Sequence, residues 1–320
     1  MSFHARATQY RSAPKAASKR ADASLAPVPG ACDSAIMVRR ARCAFALAAL
    51  LFASAAQARV EFRSFHPPSL NGAKKDCRVY FPPSYDDPAS RDRRYPVIVF
   101  LHGWPGSEGN WPGQGHALEA LDQLSAKGAI PEVLALFPDG GGVGLLGRSV
   151  WVNAAGGRSN MEDYVVHDLV AWADSTLRTR PGPRWRAVVG LSDGATAAMN
   201  LVLRHPDVFG ACAALSGDFR LRRDLSSAHV FGSEPAASEL RAEYSPLDYL
   251  PKVAAEVHDC VFYFDCGEDD ESIADNRELD ARMTQLGIAH VFHENKGSHD
   301  WGYWREHLRE ALPIITARMR

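Results

Sequence analysis

Residues 188–194, Val-Val-Gly-Leu-Ser-Asp-Gly, carry an apolar run into G-x-S-x-G and from there into a helical stretch. A strand that turns at once into a helix holds its central residue in a strained backbone geometry, with the side chain exposed above the sheet. Gly190 and Gly194 suit such a turn, because side chains two residues either side of the serine would collide there. The segment therefore demands a strand, a sharp elbow and a helix, and it offers Ser192 as a nucleophile. It also puts the Asp193 N–H at a helix N-terminus, where it can donate to a developing oxyanion.

Strand and helix patterns alternate along the rest of the chain. Strands are expected at 77–81, 95–101, 133–137, 186–190, 211–215, 261–265 and 288–292, and helices near 115–127, 160–178, 194–204, 273–285 and 301–316. Such alternation argues for an α/β protein with a mostly parallel central sheet flanked by helices on both faces. The stretch Ser216–Glu256 has weak periodicity and many charges, and is expected to form a small cap or rim over the site.

A serine nucleophile needs a base and an acid to orient that base. The strand Val261–Phe264 runs into Asp265-Cys266-Gly267-Glu268-Asp269-Asp270, and the strand Ala289–Phe292 leads to Lys296-Gly297-Ser298-His299-Asp300-Trp301. Functional groups in an open α/β sheet collect at the carboxyl ends of strands, so Ser192, the acidic loop and His299 are expected to meet at one edge. His299 would take the serine proton, and the acid would hold the imidazole in the right tautomer. Asp265 keeps the strand's alternation and is expected to point into the sheet. Asp270 is favoured as the acid, with Asp269 and Glu268 as alternatives, and Glu271 and the rest suit a solvated helix N-terminus. His293 rivals His299 but lacks the Gly-Ser turn. For a second oxyanion donor, the apolar run 95–101 opens into His102-Gly103-Trp104-Pro105-Gly106. Trp104 is the expected donor because Pro105 has no N–H, and His102 is expected to brace the loop.

These residues resemble the esterase family of the α/β-hydrolase superfamily that includes feruloyl esterases, S-formylglutathione hydrolase, enterochelin-esterase-like proteins and mycobacterial mycolyltransferase antigens. The resemblance runs from about Cys77 to Leu312. It rests on R-V-Y-F-P-P-S-Y-D (78–86), L-H-G (101–103), M-E-D-Y-V-V-H-D-L (161–169), G-L-S-D-G (190–194), D-C-G-E-D-D (265–270) and G-S-H-D-W (297–301). It implies an α/β-hydrolase fold and a serine esterase. The family's G-x-x-D pattern falls on Gly267–Asp270 and implies Asp270 as the acid, and its G-x-H-D-aromatic pattern implies His299 as the base. Two departures bear on the substrate. Where the family has G-x-S-M-G-G, Asp193-Gly194-Ala195 follow the serine here, and Trp104 puts an indole where many members have glycine.

The N-terminal segment implies export. Met37-Val38-Arg39-Arg40-Ala41-Arg42 is a basic start, residues 44–56 are apolar, and Ala56-Gln57-Ala58 fits a cleavage site, so 37–58 reads as a signal peptide. Residues 1–36 read as upstream sequence before the true start at Met37 or as a disordered extension, and 59–320 as the catalytic domain. The apolar run is too short to span a bilayer, and no stable membrane anchor is expected. Beyond Ala58 the chain holds 28 basic and 36 acidic side chains, a formal balance of −8, which gives no electrostatic case for nucleic acid. Cys77, Cys212, Cys260 and Cys266 remain after the leader. An oxidising compartment would permit disulfides, but buried small hydrophobes are the expectation, above all for Cys212.

Gly142-Val143-Gly144-Leu145-Leu146-Gly147 matches G-x-G-x-x-G, yet Arg148–Asn153 lacks the helix a dinucleotide site requires. A mobile glycine loop beside the active site is expected instead, with Trp151 and Asn153 as candidates to line a substrate groove. No H-E-x-x-H or Cys pair exists, so neither a catalytic metal nor a cofactor is expected. The expected activity is hydrolysis of a small-molecule or carbohydrate-linked ester through Ser192, Asp270 and His299, with the N–H groups of Trp104 and Asp193 holding the oxyanion. The same groups would serve an acyltransferase with an alcohol or sugar acceptor. The second alternative is a catalytically inactive hydrolase fold that binds carbohydrate or a partner.

Overall fold

A computed structural model describes residues 57–320. The upstream extension and nearly all of the expected signal peptide fall in residues 1–56, outside the described residues. Eight strands form one sheet: β1 (Arg59–Phe65), β2 (Lys75–Phe81), β3 (Val97–Leu101), β4 (Leu134–Pro138), β5 (Arg186–Leu191), β6 (Ala211–Leu215), β7 (Val261–Gly267) and β8 (His290–Asn295). Their order across the sheet is β1-β2-β4-β3-β5-β6-β7-β8. β2 runs antiparallel to both β1 and β4, while β4, β3, β5, β6, β7 and β8 are mutually parallel. This is the α/β-hydrolase arrangement.

Both faces of the central strands are buried, which is why those strands read as unbroken apolar runs. Side chains still alternate between the faces. Val97, Val99 and Leu101 of β3 pack on one side with Val188, Cys212, Ala214 and helix α2 (Asp193–Arg204), and α3 (Ile273–Gln285) closes that layer through Leu279 and Met283. Ile98 and Phe100 face the other side, with Val189, Ala213, α1 (Ala117–Ala126) and α4 (Trp301–Ile315). Cys77, Cys212, Cys260 and Cys266 are unbridged and buried.

Three differences from the sequence-based expectations have simple causes. β1 was not anticipated: three of its seven residues are charged, as befits an edge strand that must not recruit another chain, and charge hides its alternation. The helix expected over 160–178 is composite, with Met161–Asp163 and Val170–Thr176 joined by a π-helical stretch, Tyr164–Leu169. The run at 95–101 pairs fully only from Val97, because Tyr95 makes an isolated bridge to Thr179 instead. In the segment 216–256, expected to form a cap, short helices occupy Ala228–Phe231, Ala236–Glu243 and Pro246–Val253. Tyr244 ties this segment to the core by donating at 2.6 Å to buried Glu162, which also accepts from Arg204 of α2 at 2.7 Å.

The topology places the site. After β3 the chain steps to one side to form β4, then returns to lay β5 against the opposite edge of β3. Strand order reverses there, and crevices in open α/β sheets form outside the carboxyl ends of such strands. Leu101 pairs with Gly190, so residues 102–104 and 191–193 leave the sheet side by side.

One buried acid in β7 makes stability depend on pH. Asp265 is fully buried and accepts the Tyr263 hydroxyl at 2.8 Å through one oxygen, and the other has no hydrogen-bond partner among the described residues. Burial pushes its carboxyl up to about 7 despite that hydrogen bond. Between roughly pH 4 and 7 the folded chain keeps a proton that the unfolded chain has released, so stability falls as pH rises through this window, by up to about 4 kcal/mol. Asp265→Asn retains an acceptor for Tyr263 and abolishes this dependence. The melting temperature of the wild type is expected to drop several degrees more between pH 5 and pH 8 than that of the variant, which parallel thermal scans would measure.

Candidate active site

Ser192 occupies the elbow between β5 and α2 with φ 54° and ψ −125°, a conformation that L-residues avoid. Packing imposes it. A Cβ on Gly190 would fall onto the Gly194 carbonyl, and one on Gly194 would lie 2.7 Å from the His102 carbonyl oxygen, with that of Leu101 nearer still. Strand β5, the first turn of α2 and the end of β3 thus approach backbone to backbone. The Ser192 N–H donates to the Leu215 carbonyl at 3.0 Å, fixing the elbow to β6, and the Ser192 carbonyl accepts from the N–H groups of Ala195 and Thr196 in the first turn of α2.

His299 lies in the loop after β8, with Nε2 3.0 Å from Ser192 Oγ and Nδ1 2.9 Å from Asp270 Oδ2. Asp270 is 3% exposed and also accepts the Ser272 N–H at 2.9 Å. Burial opposes ionisation of this carboxyl. The hydrogen bonds from His299 and Ser272 outweigh it and hold the pKa below the usual carboxylate range. Burial likewise opposes a charged His299, yet the hydrogen bond and charge of Asp270, aided by Asp218 and Glu271, raise its pKa above the ordinary 6.5. Trp304 packs edge-on to the imidazole at 5.0 Å, and its indole N–H donates to Ser216 Oγ at 3.1 Å. The histidine is thereby held from two sides.

The competing residues lie elsewhere. Glu268, Asp269 and Glu271 are exposed, and Asp265 is buried against Tyr263. His293 is exposed on β8, near Glu310.

Trp104 follows β3 and borders a cleft of about 290 Å³ whose lining includes Ser192, His299, Leu191, Trp301 and Trp304. Among the described residues, neither the Trp104 nor the Asp193 main-chain N–H donates to another protein group. A Cβ on Gly103 would stand 2.9 Å from that of Ser192. His102 donates from Nδ1 to the Gly103 carbonyl at 2.7 Å and accepts the Gly140 N–H on Nε2 at 2.9 Å, which ties the ends of β3 and β4 together. Burial lowers its pKa, in keeping with a neutral ring that donates at one nitrogen and accepts at the other.

Trp151 and Asn153, expected to line a substrate groove, are absent from the lining of the cleft at Ser192. Trp151 is 3% exposed, lies against Gly140 and donates its indole N–H to the His102 carbonyl at 3.0 Å, so it braces the loop from within. Asn153 is engaged with Asp163, through both its amide nitrogen at 2.9 Å and its oxygen. Sequence reasoning missed Trp304 and Arg148. Trp304 lies one turn beyond Trp301, and i,i+3 spacing after an N-cap could have signalled a shared face. Arg148 forms a bidentate pair with Asp193, at 2.6 and 2.7 Å. A buried carboxylate beside the nucleophile was the available sign that a cation must be near. A cleft of about 660 Å³ lies at the opposite ends of the strands near Pro183, Gly210 and Val261, and contains none of these groups.

Comparison with known proteins agrees with this architecture. A family model described as "Putative esterase" matches residues 69–315. An esterase of Mycobacterium tuberculosis is 27% identical over 262 residues, covering 73% of this chain and 55% of that one. An acetyl esterase of Caldicellulosiruptor saccharolyticus is 37% identical over 245 residues, covering 69% of this chain and 83% of that one. A solved ferulic acid esterase superposes with a TM-score of 0.74 at 26% identity, over 82% of this chain and 99% of its own. The chain spans little more than half the length of its mycobacterial and corynebacterial relatives, 55% and 57%.

The elbow is the most sensitive point to sterics. Gly190→Ala has no room to relax, since the opposing atoms are backbone. It is expected to cost at least about 3 kcal/mol of stability, the upper end for overpacking. Denaturant titration beside Gly113→Ala, where a Cβ meets nothing within 4 Å, measures the contrast.

Proposed function

This chain belongs to the esterase family, and from that membership we propose that it hydrolyses a carboxylic ester through an acyl-enzyme on Ser192. The observation that carries the reading is the continuous hydrogen-bonded chain Ser192–His299–Asp270, at 3.0 and 2.9 Å, on a strained elbow. Ser192 Oγ attacks the ester carbonyl while its proton passes to His299 Nε2. The negative charge moves to the carbonyl oxygen, facing the N–H groups of Trp104 and Asp193. Collapse of the tetrahedral species expels the alcohol, which takes the proton from His299, and leaves the acyl group on Ser192. Water then attacks by the same route, giving a carboxylic acid and free serine. Asp270 keeps Nδ1 protonated and stabilises the imidazolium.

The cleft at Ser192 suits a compact group. At about 290 Å³, with three indoles and Leu191 in its lining, it matches a short acyl chain or a single aromatic ring. The names of an acetyl esterase and a ferulic acid esterase among the relatives fall within the same range. Export through the segment 37–58, with 59–320 as the catalytic domain, belongs to this reading. Among the described residues no helix is long and apolar enough to cross a membrane. N-terminal sequencing of the exported protein should find Arg59, and retention of residues 1–36 would contradict it.

The decisive assay is hydrolysis of p-nitrophenyl acetate and of a hydroxycinnamate methyl ester. Ser192→Ala and His299→Ala are each expected to lower kcat by ~10⁴ or more, and Asp270→Asn by about the same factor. Hydrolysis undiminished in Ser192→Ala would refute the mechanism. His299 must be neutral to accept the proton, and its pKa is raised. Activity should therefore fall on the acid side with a midpoint above 6.5, the ordinary imidazole value. In Asp270→Asn the residual activity should keep its acid limb at lower pH, since the stabilising charge is gone.

A further inference from the structure

The residue after the nucleophile is an acid, and a carboxylate there poses a physical problem. Asp193 is 7% exposed and lies at the first position of α2. Its own N–H is one of the two groups that would hold the oxyanion. Its side chain is an anion close to where that second negative charge develops, in surroundings that screen poorly.

Arg148 answers the problem from a different loop. Its Nε and Nη2 donate to the two Asp193 carboxylate oxygens at 2.7 and 2.6 Å, a fork-to-fork geometry that only arginine provides. Both side chains are largely buried, at 15% and 9% exposure. The remaining nitrogen, Nη1, donates to Asp224 and to Ser226 Oγ in the cap segment. The guanidinium also lies 4.9 Å from the Trp104 ring centroid, and the Trp104 indole N–H donates to the Leu145 carbonyl at 3.0 Å. The elbow, the loop that carries Trp104 and the cap therefore all converge on this one side chain. The glycine-rich segment that resembles a nucleotide motif is shaped for this. It closes through Gly142 N–H to Gly147 carbonyl at 2.7 Å and Gly144 N–H to Arg148 carbonyl at 2.8 Å, and a Cβ on Gly144 would lie 2.8 Å from the Ser226 carbonyl oxygen.

We propose that Arg148 is a positioning residue of the Ser192 site: it neutralises Asp193 so that an oxyanion can form beside it, and it fixes the elbow N–H against the Trp104 loop and the cap. The inference rests on the esterase reading of Ser192. Asp193, Asp224 and Asp218 are the acids around Arg148, and Asp270, Asp218 and Glu271 already face His299. Without Arg148, Asp193 adds an unbalanced negative charge to that set. Such a charge opposes the oxyanion and favours the imidazolium over the neutral base.

The test is a double-mutant cycle on p-nitrophenyl acetate from pH 5 to 9 with the whole chain. Arg148→Met is expected to lower kcat by about 10²-fold, the scale of losing one oxyanion donor, while KM changes by less than about threefold. Its acid limb should move to higher pH by about half a unit or more. Arg148→Met/Asp193→Met removes the buried acid together with its cation, as tolerated when both partners of a buried pair become apolar, and leaves only the half-exposed Asp224 without the guanidinium. It should regain at least about tenfold in kcat over Arg148→Met and return the limb to its wild-type position. Arg148→Lys keeps the charge and loses the fork, so it should show an unshifted limb with an intermediate kcat, which preserves the test if Arg148→Met does not fold. An Arg148→Met enzyme within threefold of wild type overturns the inference. So does a double variant as slow as Arg148→Met with an unmoved limb, the signature of packing alone. Neither result touches the esterase reading, which stands or falls with Ser192→Ala.

Discussion

The backbone contact between β5, the first turn of α2 and the end of β3 is the constraint on which the rest of the site depends. Gly190 and Gly194 allow three segments of main chain to touch, and the only conformation left for Ser192 is one with positive φ. Strain of this kind costs of order 1–3 kcal/mol and persists only where the surroundings over-determine it. Here they do. β5 is buried along its whole length, its neighbours β3 and β6 pair with it in register, and α2 is buried at all but its last position. The hydrophobic layers on the two faces of the sheet thus supply the energy that holds one hydroxyl in an unfavourable place.

Electrostatics then decides what that hydroxyl can do. Ser192, His299 and Asp270 come from loops after three different strands, β5, β8 and β7, and the parallel sheet aligns those loops at one edge. Burial raises the cost of each isolated charge, yet the Asp270 pKa is lowered and the His299 pKa is raised, so pairing wins over desolvation at both positions. Asp218 shows the contrary balance close by. Its hydrogen bond from Ser272 at 2.7 Å does not compensate for burial and neighbouring acids, and its pKa rises. A carboxylate in this region is stabilised as an anion only when a specific cation or a set of N–H groups faces it.

Much of this was legible in the sequence because local chemistry and global fold agree where geometry is tight. The elbow glycines and the parallel strands each carry a strong local pattern, whereas the acidic loop left Asp269 and Glu268 open beside Asp270, and His293 rivalled His299. β1 was not legible, since an edge strand is selected against looking like a strand. Trp151 misled because an indole beside a glycine loop suggests a groove, whereas position 140 lacks a Cβ in order to seat that ring inside the core. Arg148 was invisible for a different reason. A cation 45 residues from its acid leaves no periodic trace, and its loop bore a motif whose glycines had another explanation.

That explanation changes how the glycine loop and the cap are connected to the chemistry. A cap joined to a hydrolase core by apolar contacts alone would leave the charge state of the elbow untouched when it moves. Here Asp224 and Ser226 hold the same guanidinium that balances Asp193, and Trp104, which lines the cleft, packs against it. Because ion pairs in poorly screened surroundings weaken steeply once water enters, a cap displaced far enough to hydrate Arg148 would also alter the field at Ser192.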